Sequence, residues 1–226
     1  MNIKTTILCL VSSFFCQSVI SSNSVQIHQE NVYPSILDAV MRYDVDILRQ
    51  LIESGSNVNL KDKDGLTPLM MAVMGSFGVE EKVRLLIEAK ADVLCQDVSG
   101  NTALIWAVVN KNKGAVRMLI EAGSNVNQAE ERGITPLIWA AIQGDTDMLQ
   151  LLMDSGAAVN SEDRIMHMTA LMHVAYVGRL GAVRLLIEKG ADITHQDKEG
   201  STALIHALNQ GNLSIAQLLG WRGGRG

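Results

Sequence analysis

The sequence predicts an all-α solenoid of about six stacked helix-turn-helix units, with abbreviated repeats at the two ends. The octapeptide GNTALIWA at residues 100–107 returns as GITPLIWA at residues 133–140, displaced by 33 residues. A period near 33 residues is typical of stacked repeats, in which each unit buries its apolar face against its neighbours. The threonine of the octapeptide recurs at Thr67, Thr102, Thr135, Thr169 and Thr202.

The composition supports helices and argues against a nucleic-acid partner. Apolar residues make up 47 % of the 226 residues and aromatic residues only 4 %, so the core is aliphatic, which favours helices over strands. Proteins that bind the phosphate backbone usually carry clustered positive charge, whereas this chain has a formal net charge of -5. Only three Cys occur, which argues against a disulfide framework.

Residues 1–21 have the layout of a signal peptide. Lys4 is followed by an uncharged run from Thr5 to Ser22 with an apolar centre between Ile7 and Phe15. This layout is typical of a secretory signal peptide. An uncleaved membrane anchor is the alternative, but the apolar centre is shorter than the roughly 20 residues that span a bilayer.

Export is therefore expected, to the periplasm or the exterior. Cleavage is placed after Ser18 or Ser21, because each is a small residue at a suitable position. We expect no stable membrane insertion after cleavage and a flexible linker over residues 22–33, which are polar and carry no periodicity. The repeat domain is predicted over residues 34–221.

Each unit specifies a hairpin of two short helices. In the second unit a turn precedes Thr67, which is placed to cap a helix, and Pro68 stands at the first helical position, where its missing N–H costs nothing. The second helices carry Val-x-x-Leu-Ile spacing on their buried side. Glycines are expected to end the helices with left-handed residues, the first helices at Gly144, Gly178 and Gly211 and the second helices at Gly123, Gly156 and Gly190.

The end units are expected to cap the stack with polar outer faces. The first unit carries charged residues where inner units have apolar or small ones, namely Asp38, Arg42, Asp44 and Asp46. In the last unit Gly220 and Trp221 replace the expected Ile-Glu, so its second helix is predicted to end early. Residues 222–226 are predicted to be disordered.

The repeated text GxTPLxxA, a Leu-Leu helix and a closing GADV-like segment resembles the ankyrin repeat over residues 34–221. The resemblance implies a monomeric, non-enzymatic module that binds a protein partner through a concave groove and the turn tips. It implies no cofactor and no metal.

Three departures from the family pattern are visible. The histidine of the family motif is replaced by apolar residues, so its hydrogen bond to the turn is expected to be missing. These replacements are Met70, Ile105, Ile138, Met172 and Ile205. His167 stands where the fifth unit should have a turn glycine, at a position that favours positive φ. The second unit has two extra residues in MGSFGVEEK, which predicts a longer connection between its helices.

The partner-binding surface is predicted from side chains that the stack would present to its concave side. The position after the family histidine holds Met71, Trp106, Trp139, His173 and His206. The next helical turn offers Val109, Asn110, Ile142, Gln143 and Tyr176. Apolar turn-tip residues that are expected to be exposed are Leu66, Ile134, Ile165, Met166 and Met168. Tryptophan is enriched at binding hot spots, although Trp106 and Trp139 have packing between units as their alternative role.

Two further hypotheses stay open. Hydrolase, kinase and metalloprotease signatures are absent, but a metal-dependent or enzymatic protein could use the region of His167, His173 and His206 with Asp163. Equivalent positions on stacked helices lie roughly 8–10 Å apart, although no third ligand of the right type is evident. Delivery as an effector by a host-associated bacterium is the other hypothesis. Cys95 is expected to be a structural thiol.

Overall fold

The computed structural model of the chain describes residues 35–42 and 45–223, with side chains described as far as Gly220. The described residues form twelve α-helices and no strand, with two isolated β-bridges between Gln96 and Thr102 and between Glu162 and Thr169. The predicted all-α class is therefore confirmed. The helices are α1 Ile36–Arg42, α2 Val45–Glu53, α3 Pro68–Met74, α4 Val79–Glu88, α5 Ala103–Val109, α6 Lys113–Glu121, α7 Pro136–Gln143, α8 Thr146–Asp154, α9 Ala170–Val177, α10 Leu180–Glu188, α11 Ala203–Asn209 and α12 Leu213–Gly223.

The helices pair into six hairpins that stack in chain order. The odd-numbered first helices form one layer, in which each packs against the first helix of the next unit, and the even-numbered second helices form the other. The core between the layers is aliphatic, with Leu104, Leu119, Leu137 and Leu152 fully buried. Because the same positions are buried in successive units, one continuous core runs along the stack.

The threonine that marks each repeat begins the first helix of its unit. The Oγ1 atoms of Thr67, Thr102 and Thr135 accept hydrogen bonds from the backbone N–H three residues later, at 3.2–3.3 Å. Pro68 and Pro136 follow at the first helical position, as predicted. Thr169 and Thr202 precede α9 and α11 without such a side-chain bond.

This difference between the threonines gives a testable prediction. Thr135→Ala is expected to lower the free energy of unfolding by about 1 kcal/mol, because it removes the cap bond to Ile138. Thr202→Ala is the matched control and should cost less, since Thr202 makes no cap bond. Urea unfolding followed by circular dichroism measures both. Equal losses in the two variants would contradict the capping role of Thr135.

The helix-ending glycines have the predicted left-handed backbone. Gly144 and Gly178 end α7 and α9 with φ of 65° and 85°, and the other glycines assigned to helix ends also have positive φ. His167 has φ of 58°, as its place in the turn predicts. Two further left-handed residues escaped prediction, Lys90 with φ of 65° and Lys111 with φ of 57°. Each stands where other units have glycine.

The longer connection in the second unit lies between α3 and α4. Residues 75–78 join these helices, against two or three residues in the units that follow. Phe77 at its centre is 84 % exposed. The extra length is accommodated at the edge of the stack, so α3 and α4 still pack against each other.

The two end units depart from expectation in different ways. Asp38, Arg42 and Asp46 are exposed on the first unit, as the capping role requires, and Asp44 lies outside the described residues. The expectation that the last helix ends early is wrong. Helix α12 has 11 residues and is the longest in the described chain, because Gly220 continues the helix instead of stopping it.

Three other predictions fall wholly or partly on residues outside the described ranges. The signal peptide over residues 1–21 and the linker over residues 22–33 lie outside them, and so do residues 224–226 of the predicted tail. Residues 222 and 223 belong to α12. Among the described residues, no helix is both long enough and apolar enough to cross a bilayer.

Candidate partner-binding surface

The turns that precede the first helices form a continuous row, called the turn row here and made of residues 62–66, 97–101, 130–134, 163–168 and 197–201. A backbone hydrogen bond joins each turn to the next one. The bonds run from Val98 N to Asp64 O at 3.0 Å, Glu131 N to Ser99 O at 3.0 Å, Arg164 N to Arg132 O at 2.7 Å and Lys198 N to Met166 O at 2.8 Å. This series fixes the spacing of the turn tips along the stack.

A carboxylate at the start of each turn holds that turn closed. Asp97 Oδ1 accepts hydrogen bonds from the N–H groups of Ser99 and Asn101, both at 2.9 Å. Aspartate favours this arrangement because its short side chain can accept from its own backbone two residues on. The same role is taken by Asp62, Glu130, Asp163 and Asp197.

The other carboxylate oxygen receives a side chain from the first helix in three units. Trp106 Nε1 donates to Asp97 Oδ2 at 3.0 Å. His173 Nε2 lies 3.2 Å from Asp163 Oδ2, and His206 Nε2 lies 2.7 Å from Asp197 Oδ2. The expectation that these units lack a side-chain bond from helix to turn is therefore wrong. The residue after the family histidine position supplies it.

The second and fourth units differ at this position. The second unit has Met71, whose thioether has no N–H or O–H to donate. In the fourth unit Glu130 Oε2 is 3.1 Å from Arg132 Nε, so its carboxylate is already engaged. Trp139 Nε1 is buried and has no hydrogen-bond partner among the described residues.

Much of the predicted partner-binding set is buried. Trp139 is only 8 % exposed, and His173, Tyr176 and His206 are buried to a similar degree. His173 and His206 face turn-row carboxylates, and the ring of Tyr176 packs edge-on against that of His206. The exposed aromatic column expected from sequence is therefore not present. Trp106 and Met71 are half-buried.

The turn-tip prediction is also wrong for two residues. Ile134 and Met168 are buried in the core, because each directly precedes the threonine that begins a first helix and turns inward with it. Leu66 and Met166 are half-buried. The exposed apolar tips are Ile165 at 46 % and Val98 at 65 %. Val98 was not among the predicted apolar tips.

At the C-terminal ends of the first helices α5 and α7, away from the turn row, lies a half-buried strip formed by Val109, Asn110, Ile142 and Gln143. Asn110 Nδ2 donates to Trp106 O at 2.8 Å, and Gln143 Nε2 donates to Val109 O at 2.9 Å. These amides are held in place by backbone carbonyl groups. The strip therefore has fixed polar positions at the opposite end of the first helices from the turn row.

The four histidines in the described ranges do not converge on a shared metal site. His167 Nδ1 lies 2.8 Å from Glu162 Oε1, and His195 Nε2 lies 3.1 Å from Glu162 Oε2. His173 and His206 each face a different turn carboxylate. No group of three or more His, Cys, Asp or Glu side chains in the described part of the chain could hold a metal ion. The metal-dependent form of the alternative therefore has no cluster of ligands around His167, His173 and His206 to support it.

Cys95 is half-buried, with Sγ 3.4 Å from Asp92 Oδ2. Burial raises the pKa of the thiol, and the neighbouring Asp92 raises it further. A raised pKa lowers the thiolate fraction, and the thiolate is the reactive form. This environment suits a structural thiol.

Two turn carboxylates are stabilised in their charged form. Burial by itself would raise the pKa of Asp163, but hydrogen bonds from His173 and from the N–H groups of Met166 and Ile165 outweigh it and lower the pKa. The pKa of Asp197 is lowered in the same way, against burial, by the Ser201 N–H, His206 and the Glu199 N–H. Both carboxylates are therefore expected to stabilise the fold when ionised.

These lowered pKa values predict acid sensitivity. A carboxyl group whose pKa is lower in the folded state contributes stability above its unfolded pKa of about 3.9, and this is lost as the pH falls through the folded value. Replacing both Asp163 and Asp197 by Asn should lower stability at neutral pH and flatten its decline below about pH 4. Urea unfolding at several pH values tests this, with the exposed Asp46→Asn as control. If the stability of the double variant declined below about pH 4 as steeply as that of the wild type, the stabilising role of the two ionised carboxylates would be contradicted.

The chain belongs to the ankyrin repeat family. Residues 36–130 and 137–222 match the family described as ankyrin repeats (3 copies). The human 2-5A-dependent ribonuclease is 50 % identical over 187 residues, which cover 76 % of this chain and 25 % of that protein. The potassium channel SKOR of Arabidopsis thaliana is 38 % identical over 84 residues, covering 37 % of this chain and 10 % of the channel.

A third relative has a similar partial match. Ankyrin repeat and SAM domain-containing protein 6 of Rattus norvegicus is 37 % identical over 90 residues, or 39 % of this chain and 10 % of that protein. The chain thus spans a quarter or less of the length of these three relatives. Ankyrin repeats support a role in protein–protein interaction.

Proposed function

We propose that the chain is an exported, non-enzymatic module that binds a protein partner through its concave side, with the turn row as the main contact. The observation that carries the proposal is the exposure of Val98 and Ile165 on a row of turns held by backbone hydrogen bonds. Exposed apolar residues beside polar ones are typical of interaction sites. A surface that is already ordered loses little conformational entropy when a partner binds.

Charged turn tips complement the apolar ones. Lys63, Glu131 and Lys198 are exposed on the turn row, and Glu131 belongs to the turn between those of Val98 and Ile165. Rim charges of this kind affect the rate of association and the choice of partner more than the affinity. The expected partner surface is therefore a mixed one, with apolar side chains for the two apolar tips and a basic group opposite Glu131.

Export is supported by the charge and apolar pattern of residues 1–22. We propose a periplasmic or secreted location on this basis. Expression of the full chain with recovery of the exported fraction and N-terminal sequencing tests it. A new N-terminus after Ser18 or Ser21 supports export by a signal peptide, and retention of Met1 on a cell-associated protein would contradict it.

Partner capture with matched variants tests the binding surface. The exported chain is cross-linked in its own compartment, and captured proteins are compared between the wild type and the double variant Val98→Asp/Ile165→Asp. We expect the double variant to lose the partner while keeping its helical content, because both side chains are exposed and contribute little to the core. Phe77→Asp is the control, since Phe77 is exposed at the opposite end of the first helices from the turns.

The same variants are expected to give the opposite pattern of capture if the partner binds away from the turn row. Loss of capture in Phe77→Asp together with full capture in the double variant would place the partner at the connections between helices. Capture that is unchanged in both variants would exclude the turn row as the binding surface.

A further inference from the structure

The helices of the last unit carry fewer charged side chains than those of the other units. No Asp, Glu, Lys or Arg occurs between Gly200 and Trp221. The first unit, by contrast, exposes Asp38, Arg42 and Asp46. A terminal repeat normally needs a polar outer face to remain in solution. The last unit of the described chain therefore lacks the usual device that keeps a stack from associating at its end.

Leu208 shows which side of the last unit is uncovered. It lies six residues after Thr202, and the matching residues of the four units before it are at most 1 % exposed, namely Val73, Val108, Ala141 and Ala175. In the first unit, aligned by its closing Gly55, the match is Val40, which is also 1 % exposed. In the described chain the first unit packs against a following repeat and against no preceding one. The burial of Val40 therefore shows that this position faces the following unit. Leu208 itself is 51 % exposed.

Leu204 follows the same pattern. Its counterparts Leu69, Leu104, Leu137 and Leu171 are at most 1 % exposed, whereas Leu204 is half-buried. Ile205 beside it is exposed. Leu204, Ile205 and Leu208 form the end face, an apolar surface of the kind that packs against another repeat at every inner junction of the stack.

We propose that the end face packs against the end face of a second copy of the chain, which joins two stacks tail to tail about a two-fold axis. A two-fold contact brings the same surface patch together from both copies. The end face suits this arrangement because it carries no charged side chain that would meet its own like charge. The resulting dimer replaces the monomer that the family resemblance implies.

A head-to-tail contact is disfavoured by the first unit. It would bury Asp38, Arg42 and Asp46 against a surface with no charged partner for them. Burying an unpaired charge is costly. Head-to-tail contacts also continue into open filaments unless a ring closes, whereas the tail-to-tail contact stops at two copies.

Sedimentation velocity across the micromolar range tests the proposal with the full chain. We expect a dimer that dissociates on dilution, and Leu208→Glu should raise the dimer dissociation constant by at least about tenfold because the two-fold axis introduces two charges at once. Leu94→Glu is the matched control, since Leu94 is similarly exposed, at 57 %, in the loop that follows α4. Ile205→Lys provides a second variant, and thermal melting followed by circular dichroism confirms that each variant is folded.

Several outcomes would overturn the proposal. A wild-type chain that stays monomeric throughout the range has no such contact. A dimer of undiminished affinity in Leu208→Glu and Ile205→Lys uses another surface, and species larger than a dimer indicate head-to-tail growth. Equal weakening by Leu94→Glu would show that the effect of added charge is not specific to the end face.

Discussion

Replacing Trp139 by Ala is expected to lower the free energy of unfolding by about 3–5 kcal/mol, which is the range for truncating a buried aromatic side chain. Trp139 is 8 % exposed and lies in the continuous core. Trp106→Ala should cost less through lost packing, because Trp106 is half-buried, although it also removes the bond to Asp97. Chemical unfolding of both variants measures the difference.

The corresponding Phe variants separate packing from hydrogen bonding. Trp139→Phe removes no hydrogen bond among the described residues and keeps most of the aromatic packing. Trp106→Phe deprives Asp97 of the indole N–H at 3.0 Å. Removal of one partner from a hydrogen bond costs about 1–3 kcal/mol when the remaining group is buried, and less when it is half-buried as Asp97 is.

Iodide quenching offers an independent measure of the same assignment. In a Trp221→Phe background we expect Trp139 to be protected and Trp106 to be partly quenched. A Trp139→Ala variant that melts like the wild type, together with strong quenching of Trp139, would place this side chain on the surface and contradict its burial.

Removal of residues 197–226 is the second change with a large expected effect. It deletes the last unit and uncovers the face of the fifth unit, where Leu171, Met172 and Ala175 are at most 1 % exposed. Burial of a large apolar side chain contributes about 1.5–3 kcal/mol, and in a repeat protein the loss of a unit also removes its interface term. We expect a lower urea midpoint and aggregation during purification.

The truncation also bears on the end face. If the exposed end of the sixth unit were as unfavourable as the newly exposed fifth unit, the full chain would aggregate equally. We expect it to form a discrete dimer instead. A truncated chain that is soluble, monodisperse and as stable as the full chain would contradict the one-dimensional coupling between units.

The repeat period and the local rules of helix termination were enough to predict the fold. Thr67, Pro68 and Gly144 each have a stereochemical role that depends only on neighbouring residues, so their positions in the hairpin follow from sequence. The left-handed backbone of Lys90 and Lys111 was not predicted, because it is imposed by the hairpin and not by the residue type. Alignment with the glycines of the other units could have found both.

The surface was harder to predict because burial depends on how successive units close over one another. Trp139 and His173 stand at a position where the family pattern is variable, which suggested exposure, but both side chains are buried. One signal was available in the sequence. An acidic residue precedes the donor by nine residues in Asp97 and Trp106 and again in Asp197 and His206, and this spacing indicates a bond between turn and helix. Glu130 and Trp139 have the same spacing without the bond, because Arg132 engages the Glu130 carboxylate.

Amide hydrogen exchange on the full chain, free and bound to the captured partner, tests the turn row most directly. Binding there should slow exchange in residues 97–101 and 163–168, because the partner covers these N–H groups or restrains their opening. Residues 75–78, between α3 and α4, should be unchanged. Protection confined to those residues or to the second helices, with no change along the turn row, would contradict the proposed binding surface.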